Sequence, residues 1–98
     1  MNVTFRQLRL FLALADTGSV SGAARALHVT QPTASMQLKE IALSVGLPLY
    51  EVIGKKIYLT EVGQELAATA RALTLTWEVF EQNVDAIKGF GRKCNDGQ

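Results

Sequence analysis

The feature that most constrains the fold is an apolar pattern near the end of the chain. From position 66 to position 87, apolar residues recur at alternating steps of four and three, the spacing of a helix that buries one continuous stripe. The stripe is longer than the domain ahead of it could cover. The sequence therefore predicts a long dimerisation helix over 61–89, whose interface with a second copy is formed by Leu66, Ala70, Leu73, Trp77, Phe80, Val84 and Ile87. A helix that packs wholly on its own domain is the alternative.

Two short helices are predicted near the start of the chain. Thr4 and Gln7 have the spacing of a capping box for the first, and Gly18 is typical of a helix end. Ser19 can cap the second helix, over 20–27. Its alanines allow a neighbouring helix to approach closely.

A third helix is predicted over 30–45, and its two faces differ. Thr30 can cap it, and Pro32 falls in the first turn, where its missing N–H costs nothing. The inward stripe is formed by Ala34, Leu38, Ile41 and Val45. The outward residues are mostly polar and are Gln31, Thr33, Ser35, Met36, Gln37 and Lys39. The second and third helices, about 20–39, are thus a helix-turn-helix candidate, whose second helix can enter a DNA major groove.

The outward face of the third helix carries groups that suit DNA. The Gln31 amide can pair with an adenine edge, and Thr33 can offer a methyl group to thymine or a hydroxyl to a base. Ser35 and Lys39 suit phosphate oxygens. By composition alone, a solvated helix face without a ligand is an equally good interpretation.

After the third helix, the pattern changes to short β-prone runs. Residues 49–52 and 56–59 predict the strands of a hairpin, with 53–55 as its turn. Lys55 and Lys56 lie at or beside the tip, where long cations can reach phosphates. This wing, about 49–60, completes a winged helix-turn-helix domain over 3–60 in a mostly α chain.

Charge and reactive residues narrow the function classes. Residues 1–60 carry six Lys or Arg against three acids, whereas residues 61–98 carry four against six, so a polyanion is expected to contact the front of the chain. His28 is the single histidine and Cys94 the single cysteine. A catalytic triad, a zinc site and an internal disulfide therefore lack support, and no cofactor is expected. No apolar run has the length of a membrane span. The single cysteine fits a reducing compartment, so a cytoplasmic location is expected.

The order of the residues resembles the LysR-type transcriptional regulators. The resemblance is carried by Gly-Ser-Val-Ser-Gly-Ala-Ala at 18–24, Leu-His-Val-Thr-Gln-Pro-Thr-Ala-Ser at 27–35 and Leu-Thr-Glu-Val-Gly at 59–63. It extends over about residues 3–89 without a gap. It implies a winged helix-turn-helix, an antiparallel dimer of linker helices and recognition of double-stranded promoter DNA at an inverted repeat.

The resemblance also implies roles for individual residues. The family's base-facing positions match Gln31, Pro32, Thr33 and Met36. The positions that reach the DNA backbone or minor groove match Thr30, Ser35 and the wing. Three residues depart from the pattern, since Met36 and Val52 stand where the family usually has Arg and Ala42 stands where it has a carboxylate. A guanine contact at position 36 is therefore not expected. Lys55 and Lys56 remain as the cations of the wing that can contact DNA.

Ser-Met-Gln at 35–37 and Gly-Lys-Lys-Ile-Tyr-Leu-Thr at 54–60 resemble the branch that controls carbon-fixation (Rubisco) operons. Full-length relatives continue into an effector-binding domain, and a tetramer is expected for a full-length protein. Here the tail over 90–98 is interpreted as loop or disorder. The chain is thus expected to be a fragment that binds DNA and forms a homodimer, with no effector-binding domain and no small-molecule effector. The alternative is a protein-interaction module that uses only the coiled-coil helix.

Overall fold

The computed structural model describes the backbone of residues 1–92 and the side chains of residues 1–89. Within that range the chain forms four α-helices and one antiparallel two-stranded sheet, which confirms the predicted mostly helical architecture with a hairpin. The elements are α1 (Phe5–Thr17), α2 (Val20–Leu27), α3 (Gln31–Val45), β1 (Tyr50–Ile53), β2 (Lys56–Leu59) and α4 (Glu61–Arg92). Among the described residues, no helix is both long enough and apolar enough to span a membrane.

Local side-chain chemistry sets the start and the end of α1. The Thr4 hydroxyl accepts a hydrogen bond from the Gln7 backbone N–H at 3.1 Å, and the Gln7 side-chain oxygen accepts one from the Thr4 N–H at 3.1 Å. This reciprocal pair is the predicted capping box, and it satisfies two amides that have no partner inside the helix. Gly18 ends α1 with a φ of 78°, in the left-handed region that glycine tolerates.

The turn between α2 and α3 consists of residues 28–30. Ser19 caps α2 as predicted, and His28 ends it with a φ of 59°, which is uncommon for a residue other than glycine. Thr30 then caps α3 by accepting a hydrogen bond from the Thr33 N–H at 3.4 Å. These caps fix the two helices at either side of a tight connection.

The core lies where α1, α2 and α3 meet. Its buried residues are Leu10, Phe11, Leu14, Ala23, Ala24, Ala34, Leu38, Ile41 and Leu49. The inward stripe predicted for α3 is confirmed at Ala34, Leu38 and Ile41, whereas Val45 packs on the cluster and is only partly buried. One face of α3 is thus held by the core and the opposite face is left to solvent.

The wing differs from the prediction by one residue. β1 covers Tyr50–Ile53 instead of 49–52, and Ile53 pairs with Lys56, so the turn is Gly54-Lys55 alone. Gly54 has a φ of 67°, and a two-residue hairpin turn with a positive φ at its first position matches the twist of the strands. Leu49 is 2% exposed and belongs to the core. The prediction erred because an apolar residue that leads into a strand has the same pattern as its first residue.

The first turn of α4 is bound to the start of the wing. The Thr60 hydroxyl donates to the Pro48 carbonyl at 2.7 Å, and the Thr60 N–H donates to the Leu49 carbonyl at 3.0 Å. A Cβ on Gly63 would overlap that same Leu49 oxygen, so glycine is required there. The Leu-Thr-Glu-Val-Gly segment therefore fixes the angle at which α4 leaves the domain.

α4 then runs antiparallel to α1. Near the end of α1, the Arg71 guanidinium donates to the Asp16 carboxylate at 2.6 Å. At the start of α1, the Phe5 and Trp77 ring centroids lie 5.9 Å apart. We call residues 61–77 the packed part of α4 and residues 78–89 the free part.

The end of α4 differs from the prediction as well. The helix continues to Arg92 instead of ending at position 89. Gly89 has no positive φ, so it weakens the helix by about 1 kcal/mol without ending it. The predicted tail over 90–98 is therefore helical as far as Arg92. Its remaining residues, among them Cys94, lie outside the described residues.

Candidate nucleic-acid interface

The outward face of α3 is open to solvent. The exposed members of the predicted DNA-binding set on this helix are Gln31, Pro32, Ser35, Met36 and Lys39. Met36 is 52% exposed, so it lies outside the core. Thr33 and Gln37 are partly buried. From Gln31 to Lys39 the face holds no acidic residue.

Thr30 and Thr33 form a pair at the start of this face. The Thr30 hydroxyl accepts from the Thr33 N–H and donates to the Thr33 hydroxyl at 2.9 Å. Because either hydroxyl can donate within this pair, one of the two protons stays available for an outside partner. Thr30 also stabilises the helix start by accepting from the Thr33 N–H.

Gln37 is tied to α1, a contact that sequence reasoning missed. The Gln7 NH2 group donates to the Gln37 side-chain oxygen at 2.8 Å and to a Glu40 carboxylate oxygen at 3.3 Å. Gln7 was identified only as a helix cap, and the pattern of the sequence does not reveal which residue 30 positions away its NH2 group would meet. The Gln37 side chain is thus anchored to α1 through its oxygen and does not project freely into solvent.

A small cleft lies between α1 and α3, beside the hydrogen bond from Gln7 to Gln37. Its volume is about 240 Å³, and its lining residues are Arg6, Gln7, Leu10, Leu27, Val29, Thr33 and Gln37. Ligand pockets have volumes of about 300 Å³ or more, so this cleft is small for one. Arg6 is exposed on its rim, which adds a cation beside the outward face that the sequence-based set did not include.

Among the side chains that the structure describes, the cations of residues 1–60 have no acidic partner within ion-pair distance. Among the described side chains, the ion pair present is that of Arg71 with Asp16, both about half-exposed. Lys55 and Lys56 are exposed at the wing turn, and Lys39 is exposed on α3. These three charges are therefore free to meet phosphates.

The apolar residues predicted to form the dimer interface, called the seam below, divide into two groups. Ala70 is fully buried within the chain, so it is not available to a partner, and Leu66 is partly buried against the core. Here the alternative of packing on the chain's own domain is correct, because α1 covers this part of α4. Trp77 stands at the boundary, 47% exposed, with its ring between those of Phe5 and Phe80.

The rest of the seam is open. Leu73 is 46% exposed, Phe80 52% and Ile87 71%, and Val84 is partly buried. Leu75 and Val79, which the seam did not include, are also exposed, each at 55%. At 100° per residue they lie on the side of α4 that faces away from α1. Within the described residues, no group of three or more His, Cys, Asp or Glu side chains could hold a metal ion.

The part of the chain that carries the winged domain matches a known family. Residues 5–64 match the model of the bacterial regulatory helix-turn-helix protein, lysR family. The chain is 41% identical over 88 residues to the HTH-type transcriptional activator CmpR of Synechocystis, an alignment that covers 90% of this chain and 29% of that protein. It is 39% identical over 92 residues to the RuBisCO operon transcriptional regulator of Allochromatium vinosum, covering 94% and 30%. The chain thus spans about a third of the length of these relatives.

Solved structures agree with the sequence match. The fold superposes on Vibrio fischeri DarR in complex with DNA with a TM-score of 0.79 and 32% identity, covering 92% of this chain and 31% of that chain. It superposes on the CbnR_DBD–DNA complex with a TM-score of 0.73 and 32% identity, covering 87% of this chain and 99% of that one. Both neighbours were solved with DNA bound.

Proposed function

The chain belongs to the LysR family of bacterial regulatory helix-turn-helix proteins, and on that premise we propose that it binds double-stranded promoter DNA sequence-specifically as a homodimer. The observation that carries the proposal is the outward face of α3, which is capped, solvent-exposed and free of acids from Gln31 to Lys39. In a helix-turn-helix, this face enters the major groove while the preceding helix lies across the backbone. An inverted repeat matches the two-fold symmetry of a dimer. No enzymatic step is part of the proposal.

Gln31, Thr33 and Met36 are the proposed readers of sequence. Gln31 stands in the first turn of α3, and its amide can pair with the N6 and N7 atoms of adenine. Thr33 can offer a hydroxyl or a methyl group to a base. Met36 lacks a guanidinium and cannot form the paired hydrogen bonds that arginine makes to guanine, so it is expected to contact a thymine methyl group.

The remaining contacts go to phosphates. Ser35 and Lys39 flank the readers on α3, and Arg6 lies across the cleft. Lys55 and Lys56 at the wing turn would contact the backbone or a narrow minor groove. Phosphate contacts fix the position of the protein on the duplex and carry no sequence information directly.

The proposed partner in the dimer is a second α4. Its contact surface consists of the solvent-facing apolar residues of α4, which are Leu73, Leu75, Val79, Phe80, Val84 and Ile87. The antiparallel arrangement implied by the family would place one winged domain at each end. The same surface supports the second candidate function, a protein-interaction module, which would bind a partner without recognising DNA.

We place the target among carbon-fixation operons. This finer proposal is supported by relatives of 39–41% identity, two of which bear the name RuBisCO operon transcriptional regulator. It implies a cytoplasmic location.

The test is a binding selection from a pool of randomised duplexes, followed by affinity measurements with the selected duplex and a random one. The wild type should enrich an inverted repeat and bind it in a salt-dependent manner. Gln31→Ala should weaken binding to the selected duplex about tenfold or more, since a bidentate pair contributes about 1–3 kcal/mol, with random-duplex affinity unchanged. Met36→Arg should shift the preference towards guanine within the half-site. The matched control is Gln64→Ala, an exposed glutamine on α4.

Two results would contradict the proposal. A wild type that enriches no sequence would favour the interaction module. Recovery of the same half-site by the wild type, Gln31→Ala and Met36→Arg would mean that these residues are not the readers.

The wing is tested by salt dependence. Each phosphate contact contributes about 0.9 to the slope of log affinity against log salt. Lys55→Ala combined with Lys56→Ala should flatten that slope and weaken selected and random duplexes alike. Lys88→Ala on α4 serves as the control, and a loss confined to the selected duplex would contradict the assignment.

A further inference from the structure

A chain of hydrogen bonds connects the start of α1 to the outward face of α3. Gln7 stands at its centre and is 8% exposed. Its side-chain oxygen accepts from the Thr4 N–H at 3.1 Å, and its NH2 group donates to the Gln37 oxygen at 2.8 Å and to Glu40 at 3.3 Å. Two of the three partners therefore belong to the recognition helix.

The groups at the two ends of this series of hydrogen bonds determine which atom donates and which accepts in each bond. The Thr4 backbone N–H can only donate, so the Gln7 atom that faces it must be the side-chain oxygen. The Glu40 carboxylate can only accept, so the Gln7 atom that faces it must be the NH2 group. Gln37 meets this same NH2 group, and its amide therefore has one orientation, with the oxygen towards Gln7.

The other end of the Gln37 amide is free. Among the described residues, its NH2 group makes no hydrogen bond, and no buried side-chain nitrogen lacks a partner. Gln37 is partly exposed and lines the cleft between α1 and α3, so its NH2 group reaches solvent there, at the edge of the outward face. We propose that Gln7 is a positioning residue that presents Gln37 to DNA as a hydrogen-bond donor only. This inference rests on the proposed DNA binding.

The orientation separates the roles of the two glutamines on α3. A glutamine that recognises adenine uses its oxygen and its NH2 group together. Gln31 has both groups available, whereas Gln37 has only the NH2 group. Gln37 can therefore donate to a phosphate oxygen, to guanine N7 or O6 or to thymine O4, and cannot form the bidentate pair with adenine.

Gln7→Glu tests this assignment. The variant keeps an oxygen for the Thr4 N–H, so the capping box survives, but it has no NH2 group. The Gln37 amide must then rotate to donate inward, which leaves its oxygen outward, and the new carboxylate lies against Glu40. We expect a lower melting temperature, and an affinity for the wild-type-selected duplex that falls about threefold to tenfold, the range of one lost hydrogen bond. Gln64→Glu is the control for the added charge.

Combining Gln7→Glu with Glu40→Gln separates orientation from stability. Glu40→Gln supplies an NH2 group to the new carboxylate and restores the net charge, so the melting temperature should recover. Gln37 still has to donate inward, so its outward group stays an oxygen and DNA selection should stay altered. A purely structural role for Gln7 would instead make both properties recover together.

Different results would contradict the orientation of Gln37 and the proposed DNA binding. If the double variant regains both its melting temperature and the wild-type duplex preference, the orientation of Gln37 does not determine DNA choice. If the wild type selects no sequence, the proposed function fails, and the side-chain amide exchange of Gln7 and Gln37 in NMR decides the orientation. A protected Gln7 NH2 group and a fast-exchanging Gln37 NH2 group would support it, and the reverse would overturn it.

Discussion

The packed and free parts of α4 have the same apolar period and different surroundings. In the packed part, Ala70 is fully buried by the chain's own domain, and Gly63 and Thr60 join the helix to the wing. In the free part, Phe80 and Ile87 are mostly exposed. The helical period predicts that the apolar stripe is buried, but it does not show whether the chain's own domain or a second molecule buries it.

This difference assigns the two functions of α4 to different segments. The packed part orients the helix relative to the winged domain, because it is held at the wing by hydrogen bonds and along α1 by Arg71 and Trp77. The surface proposed for a second copy lies mostly in the free part, and only Leu73 and Leu75 belong to the end of the packed part. A dimer built through the free part would therefore hold its two recognition helices at a spacing set by the packed part.

The largest effect is expected from charges placed in the free part. Phe80→Asp with Ile87→Asp should convert the dimer to a monomer, since burial of each apolar side chain contributes about 1.5–3 kcal/mol and every change occurs twice per dimer. Sedimentation velocity at micromolar concentration measures the result. Gln64→Asp adds the same type of charge in the packed part and should leave the dimer intact. A monomeric wild type would refute the proposed interface.

A matched pair of truncations measures the comparison directly. In the background of the two aspartate substitutions, Phe11→Ala should lower the free energy of unfolding by about 3–5 kcal/mol, because Phe11 is fully buried in the core. Val79→Ala in the same background should change it by at most about 0.5 kcal/mol, since it is an exposed surface position. Urea denaturation followed by circular dichroism gives both values. Equal losses would show that the free part is packed within the monomer.

How much the sequence predicted depends on how local the determining contact is. The caps at Thr4, Ser19 and Thr30 involve residues three apart, and all were predicted. The stripe of α3 follows from its period, and so does its exposed face. The bond of Gln7 to Gln37 spans 30 positions, and the burial of Ala70 depends on the course of α4 along α1. Those contacts depend on how the helices pack against one another, and the periodicity of the sequence does not predict that packing.

Two glycines in α4 should respond in opposite directions. Gly63→Ala should destabilise the protein by about 1–3 kcal/mol, because the new Cβ overlaps the backbone of Leu49 and forces the helix away from the wing. Gly89→Ala has open space around it and should stabilise the helix by about 1 kcal/mol. Thermal unfolding of the two variants at equal concentration checks both signs. Destabilisation by both would mean that the free part is covered by something that contacts Gly89.

A small effect is expected at His28, in the turn between α2 and α3. Its φ of 59° costs an ordinary side chain about 1–2 kcal/mol, and His28→Gly removes that strain. Glycine also gains conformational freedom in the unfolded chain, which offsets about 0.4–1 kcal/mol. The net stabilisation should therefore lie between about 0 and 1.6 kcal/mol, visible as a small rise in the melting temperature. The same variant tests whether the imidazole contacts phosphate, because a purely structural His28 leaves DNA affinity and its salt dependence unchanged. His28→Asn, which tolerates the left-handed conformation, is the control: a loss of affinity in both variants for selected and random duplexes alike would show that the imidazole contacts the DNA backbone, whereas a loss in His28→Gly alone would come from the more flexible turn.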